Sequence, residues 1–322
     1  MKRPLAAVLT AAVLTLSACG AGAKSSATAT ADASGTVHVS VSAIAVAAAA
    51  PIEIAVREGY FADEGIDAKV TWAAPAAMVP AVVSGTSQFA MLNAPAVLAA
   101  RGNGVPVKAV AGVSAADPDP KKSYIQLLVR GNSALRAPAD LEGRTVAVDT
   151  LYQLPDLSMR HALRQAGVDV AKVKFVEIPF PQMAAALKEG RVDAVNASEP
   201  FVTPALAAGS RTLLSSLSGQ DQNWPHTVLL TSERFLGGNR DVVDRFARAM
   251  AKADAYAQSN PDRVRALVPE FTQVPAQAAR QMLLPVFTSK FDAEGWQEWA
   301  DELAAEKLGK GKINAAEGFY AP

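Results

Sequence analysis

Two stretches of the chain follow one pattern, and this repetition constrains the fold more than any other feature. Residues 65–95 read GIDAKVTWAAPAAMVPAVVSGTSQFAMLNAP, and residues 167–200 read GVDVAKVKFVEIPFPQMAAALKEGRVDAVNASEP. From the methionine onward the spacing agrees residue for residue: Met78, Gly85 and Pro95 stand where Met183, Gly190 and Pro200 stand. Each copy opens on a Gly-Ile/Val-Asp turn and enters a strand, residues 69–72 or 172–178. A proline-bearing loop follows, then a helix of small apolar residues that stops at a glycine, the residue that best tolerates the left-handed helix end. A second strand, residues 87–92 or 191–196, closes on Asn-Ala-Pro or Ser-Glu-Pro. The unit occurs only twice, which predicts two similar α/β lobes rather than a solenoid.

The N-terminus bounds the folded part. Lys2 and Arg3 precede an apolar run, residues 5–16, too short for a permanent membrane span, and the whole reads as a targeting segment. It closes on Leu16-Ser17-Ala18-Cys19, which resembles the bacterial lipobox, where the cysteine becomes the lipidated first residue. The alternative is an ordinary secretory signal ending near Ala18. Cys19 is the only cysteine in the chain, so no internal disulfide staples the fold, and a lone thiol in an exported protein asks for a role. Residues 20–36 are Ala/Ser/Thr/Gly-rich, bury too little to order themselves, and read as a flexible tether. The expected organisation is a lipoprotein signal peptide (1–18), a tether (19–36), lobe one (37–128 and 227–322) and lobe two (129–226). The chain of 322 residues is long enough for two domains. Its acidic and basic residues balance at 31 each with no basic run of note, which counts against a nucleic-acid partner.

Along the chain, residues 37–41 alternate and start the first strand. Pro51 opens a helix, where its missing N–H costs nothing, and Gly59 ends it. The next strand makes a strand–helix–strand unit and hence a parallel pair. Further strands are expected at 107–113, 124–129, 145–148 and 227–231, with helices at 138–143, 155–166, 241–258, 275–284 and 292–307. In the long helix, Val242, Phe246, Met250 and Ala253 form one stripe. Trp296, Trp299 and Leu303 share a face and should pack inward.

Catalytic constellations are missing. His38, His161 and His226 show no metal-ligand spacing, and there is no G-x-S-x-G elbow, GxxxxGK[ST] loop or GxGxxG. His38 reads as a strand residue and His161 as part of a solvated helix. No cofactor, metal site or catalytic residue is expected.

Six segments then carry a resemblance: PIEIAVREGYFADEGIDAKV, VVSGTSQFAML, GVPVKAVAGVS, ADLEGRTVAVDT, MAAALKEGRVDAV and SEPF, in that order. Together they resemble the SsuA/THI5-like (nitrate/sulfonate/taurine-type) substrate-binding proteins of ABC transporters, with the periplasmic-binding-protein type 2 fold, over about residues 37–230. The resemblance implies two doubly wound α/β lobes joined by two crossover strands, with the ligand between them. It implies an extracytoplasmic, membrane-anchored lipoprotein, monomeric, that captures a small organic solute and delivers it to an ABC permease. The alternatives are a THI5-like or menaquinone-pathway-like enzyme on the same fold, or a solute-sensing lipoprotein.

Ligands of such sheets sit beyond strand C-terminal ends, at helix N-termini. In lobe one those positions are Ala49, Trp72, Ala76, Asn93, Ala94 and Ser114. In lobe two they are Thr150, Tyr152, Phe180, Met183, Ser198 and Glu199, while Trp224 and His226 flank the return crossing. Where many relatives have Gly-Ser after the Val148 strand, this chain reads Asp149-Thr-Leu-Tyr-Gln, and residues 73–77 carry no Ser, Thr or Arg donor. Sulfonate and nitrate want several donors, best an arginine fork, so the residues point instead to a nitrogenous or aromatic solute clasped by Trp72, Tyr152, Phe180 and Trp224; core packing is the alternative for each. Glu199 is expected to be the main charged contact, accepting from an amine, amidine or ring N–H. The competing role is to cap its own lobe through N–H groups after Pro200. Hinges are expected near residues 128–130 and 229–231.

Overall fold

The computed structural model describes residues 29, 31–217, 225–290, 293–308 and 313–320. Cys19, nearly all of the expected tether before residue 31, and Trp224 lie outside the described residues. The strands among them are β1 (Val37–Ala43), β2 (Ile66–Trp72), β3 (Phe89–Asn93), β4 (Val107–Ala115), β5 (Ile125–Arg130), β6 (Thr145–Val148), β7 (Lys174–Glu177), β8 (Ala194–Ser198), β9 (Ser210–Ser215), β10 (Pro225–Ser232) and β11 (Val286–Phe287). They make two sheets, ordered β11-β4-β10-β3-β1-β2 and β7-β6-β8-β5-β9.

The repeat is visible as paired geometry. β1 runs parallel to β2, from Val37 beside Ile66 to Ala43 beside Trp72, and β6 runs parallel to β7. β1 also flanks β3, and β6 flanks β8, both parallel. The helices Met78–Ser84 and Phe180–Lys188 span the gaps and are followed by Gly85 at φ 79° and Gly190 at φ 74°. These are left-handed positions that a Cβ would strain, so the conserved spacing between the copies is a backbone requirement. In β1 the alternation works as expected: Val37, Val39 and Val41 are buried, each worth roughly 1.5–3 kcal/mol of apolar burial. His38 faces out and pairs with Asp67 and Asp32 at 2.8 and 3.2 Å.

The lobes exchange strands. β5, reached from β4 of the first sheet, lies antiparallel between β8 and β9 of the second. β10, reached from β9 of the second sheet, lies antiparallel between β3 and β4 of the first. This corrects the expected hinges. Leu128 pairs with Val195 and Thr212, and Leu229 with Met91 and Ala111. Both segments are apolar because they are interior strands covered on both faces, a pattern that also suits a crossing segment. The first crossing is residues 116–124, ahead of the expected boundary at 128, and the second leaves β9 after Ser215.

Other differences are local. Only Ala276–Ala279 of the expected helix at 275–284 is helical, and residues 138–141 form a 3-10 turn. The helices Pro261–Phe271 and Glu233–Gly238 and strand β9 were not anticipated. The long helix Arg240–Ser259 lays Val242, Phe246, Met250 and Ala253 on the first sheet, with Phe246 stacked on Phe89 at 3.7 Å. Trp296, Trp299 and Leu303 are buried as expected, in a core that also holds Tyr124, Ile125, Leu154 and Leu157. That core therefore joins the lobes on one side. Along its rim the second-lobe helix Leu154–Gln165 meets the helix Ala293–Ala305: His161 Nδ1 lies 2.6 Å from Glu302, Arg160 lies 3.4 Å from Glu306, and Arg164 pairs with both acids.

Candidate functional site

Between the lobes lies a cleft of about 560 Å³, within the range of small-molecule sites. The first lobe contributes Ile44–Val46, Trp72–Ala76 and Phe271–Gln273; the second contributes Asp149, Thr150, Pro179–Pro181 and Phe201. Each wall carries an aromatic pair. Trp72, at the C-terminal end of β2, stacks on Phe271 with ring centroids 4.7 Å apart and planes at 10°. Phe180, opening its helix, stacks on Phe201 at 5.9 Å and 14°. The cleft continues into a chamber of about 60 Å³ that shares Ile44, Val46, Pro75, Asp149 and Phe180 and is lined further by Asn93, Tyr124, Gln153, Ser198 and Thr227.

Asp149 stands where the two spaces meet, directly after β6. The turn that follows is held by carboxylates: Leu151 N–H donates to Glu177 at 2.8 Å and Tyr152 N–H to Asp156 at 2.8 Å. The Asp149 carboxyl is consequently crowded. Burial, reinforced by the nearby Asp156 and Glu177, pushes it up to about 7 against the pull of the Thr150 N–H and its own. Its Oδ1 is buried and has no hydrogen-bond partner among the described residues. In the chamber, Asn93 caps its helix by accepting from Ala96 N–H at 2.9 Å and donates across the lobes to Gln153 Oε1 at 2.8 Å. The Tyr124 hydroxyl is buried and lies near the Ser114 and Thr227 hydroxyls, without bonding geometry to any partner. Burial pushes its phenol up to about 12, so it stays protonated. No Lys or Arg lines the cleft or the chamber among the described residues.

Of the expected site residues, Trp72, Ala76, Asn93, Thr150, Phe180 and Ser198 line these spaces. Others do not. Glu199 is fully buried outside the lining: its carboxylate accepts from Thr203 N–H at 3.2 Å, Thr203 Oγ1 at 2.5 Å and Leu283 N–H at 3.1 Å. Burial raises its pKa against the pull of those bonds, and the capping role prevails over the expected ligand contact. His226 is fully buried beside Trp299, ring centroids 5.9 Å apart, and burial lowers its pKa to about 3. Met183 packs in the second-lobe core because its helix turns that face to the sheet. Tyr152 sits at φ 60° and points outward under the Arg160 guanidinium, 5.5 Å from its ring centre. Ala49, Ala94 and Ser114 are buried behind the lining. Gln153 falls within the cleft-facing stretch 150–154 expected from the sequence, whereas Asp149, Tyr124 and Phe271 were missed. Only Asp149 left a signal, as the acid directly following a strand C-terminal end.

The chain matches the NMT1/THI5-like family model over residues 47–264 and belongs to that family. It is 25% identical over 213 residues to the formylaminopyrimidine-binding protein of Halalkalibacterium halodurans, spanning 65% of this chain but only 62% of that relative. It is 27% identical over 267 residues to the riboflavin-binding protein RibY of Chloroflexus aurantiacus, covering 80% and 70% of the two chains. In fold it matches the alkanesulfonate-binding protein SsuA from Xanthomonas axonopodis pv. citri bound to MOPS, with a TM-score of 0.76 at 17% identity, covering 88% of this chain and 98% of that one. The architecture is the periplasmic-binding-protein type 2 fold.

Proposed function

We propose that this chain captures a small aromatic nitrogen heterocycle between its lobes and delivers it to an ABC permease, without turning it over. In this reading it works outside the cytoplasmic membrane as a monomer, held there by acyl chains on Cys19. One observation carries the choice of solute: the cleft walls are two aromatic pairs, and its ionisable lining group is an acid, Asp149, with no Lys or Arg beside it. Aromatic faces grip a flat ring from either side, with gains of about 0.5–1.5 kcal/mol per pair beyond area. A carboxyl with one buried oxygen left without a partner favours a ring N–H or a cation and opposes an anion. The names of two relatives, one binding a formylaminopyrimidine and one riboflavin, support the same chemistry, while a third, 27% identical over 211 residues, is a putative aliphatic sulfonates-binding protein of Escherichia coli. The fold neighbour that binds an alkanesulfonate shares only the architecture.

The test is to purify the protein, denature it and identify the released solute by mass spectrometry. A stoichiometric nitrogen heterocycle, recovered unaltered after prolonged incubation, is the expected result. A sulfonate or other anion, or a chemically changed ligand, overturns the reading. Anchoring is checked separately: Cys19→Ala should move the protein from the membrane to the soluble fraction, since stable retention needs the acyl chains.

A further inference from the structure

The geometry points to the chamber behind the cleft as a subsite for a short neutral arm of the solute, a hydroxyl or carboxamide that accepts from the Tyr124 phenol and donates to Asp149. This rests on the reading that the cleft holds a flat ring, and specifies what that ring must carry.

Two residues that line the chamber carry a buried polar atom without bonding geometry to a protein partner among the described residues: Tyr124 Oη, which lies near the Ser114 and Thr227 hydroxyls, and Asp149 Oδ1. Tyr124 is only 2% exposed. Each such atom carries a desolvation cost of about 1–3 kcal/mol when unmatched, and native proteins keep few of them without water or ligand to satisfy them. The Ser114 hydroxyl just behind is also buried and unpartnered. Gln153 adds a third polar edge: its carbonyl oxygen accepts from Asn93 at 2.8 Å, which fixes the amide and leaves its NH2 as a donor. The chamber, about 60 Å³, suits a small functional group and not a second ring.

The chemistry of the lining selects that group. Tyr124, buried and titrating only near 12, offers a proton and carries no charge. Asp149 offers an acceptor, and Asp156, itself ion-paired with Arg160 at 2.8 Å, and Glu177 add to the upward push on its carboxyl. A carboxylate or sulfonate arm would meet the Asp149 carboxyl in a space that no Lys or Arg lines among the described residues. A hydrocarbon arm would leave both buried atoms unmatched. A group that both donates and accepts meets both needs.

Calorimetry on the full chain tests this with benzimidazole and its hydroxymethyl, carboxamide and carboxylate derivatives, each titrated into wild type and Tyr124→Phe. The expected result is that the hydroxymethyl or carboxamide form binds about five- to tenfold tighter than the bare ring, from one matched hydrogen bond. The carboxylate form should be the weakest. In Tyr124→Phe the ratio of neutral-arm to bare-ring affinity should fall to about one, a selective change that a general loss of structure would not produce. Equal binding of all four forms, a preference for the carboxylate, or an advantage that survives Tyr124→Phe overturns the subsite and leaves the ring-binding reading standing. If no member binds, the ring-binding reading fails and the subsite with it.

Discussion

The two copies of the repeat end at matching proline positions but on different backbone: after β3 the chain enters a helix at Ala94, while after β8 a cis Glu199–Pro200 bond precedes the helix Val202–Ala207. Asn93-Ala-Pro closes β3, and Ser198-Glu-Pro closes β8, at matching positions of matching sheets. In the first copy the polar side chain lines the chamber: Asn93 caps its helix and reaches Gln153 of the other lobe. In the second, Ser198 stands in the place of Asn93 and also lines the chamber, while Glu199, in the place of the buried Ala94, engages Thr203 and Leu283 N–H of the first lobe with its carboxylate oxygens. The acid of the second wall is Asp149, supplied from a different strand end. Repetition therefore transmits which position of the strand terminus faces the chamber, while the partners each side chain finds are settled by neighbours that the repeat does not contain.

The largest effect should come from Glu199→Ala. It leaves two backbone N–H groups and a hydroxyl without their acceptor, and should lower unfolding free energy by about 2–4 kcal/mol in urea titration, with solute affinity changed less than about threefold. A large loss of affinity with intact stability would restore Glu199 as a ligand contact and erase the contrast. Next, Trp72→Ala and Phe180→Ala should each weaken solute binding about 30-fold by calorimetry, the scale of an interface anchor. A loss confined to one of them would mean that a single wall grips the ring.

Asp149 sharpens the comparison through pH. Its folded-state pKa is raised to about 7, so the contribution to stability is full below the ordinary carboxylate range and is lost as pH rises through about 7. Over the same window the carboxyl becomes an anion, and affinity for a cationic or N–H-donating ring should rise by about tenfold. Asp149→Asn should flatten both profiles. Glu199, also raised, has the same sign in stability but should leave the binding profile untouched. The smallest effect is expected from Asn93→Ala, about 1 kcal/mol of stability from the lost cap, measured by the same urea titration.

Much of the fold was legible because it rests on periodicity and on glycine. Val37, Val39 and Val41 announced a strand, and Gly85 and Gly190 marked the ends of the repeated helices. Side-chain direction at the site was less so. Met183 lies in the first turn of a helix whose start lines the cleft, but its own side chain packs into the second-lobe core. Tyr152 reads as an aromatic clasp, yet its left-handed backbone swings it outward. Phe271 and Tyr124 join the site from a late helix and a crossing segment, so no local pattern marks them. The apolar runs around Leu128 and Leu229 were misplaced for a related reason: a strand buried on both faces and a strand that passes between lobes have the same composition.

The exchange of β5 and β10 has a consequence for the order in which the molecule becomes complete. A growing chain that has reached residue 217 already contains every strand of the second sheet, β5 through β9. The first sheet began earlier, yet at that length its centre is vacant: β3 and β4 have no strand between them until β10 is made. The half that is synthesised first is thus the half that finishes last. Until then the β3 and β4 edges that face this gap stay open to pairing with another chain.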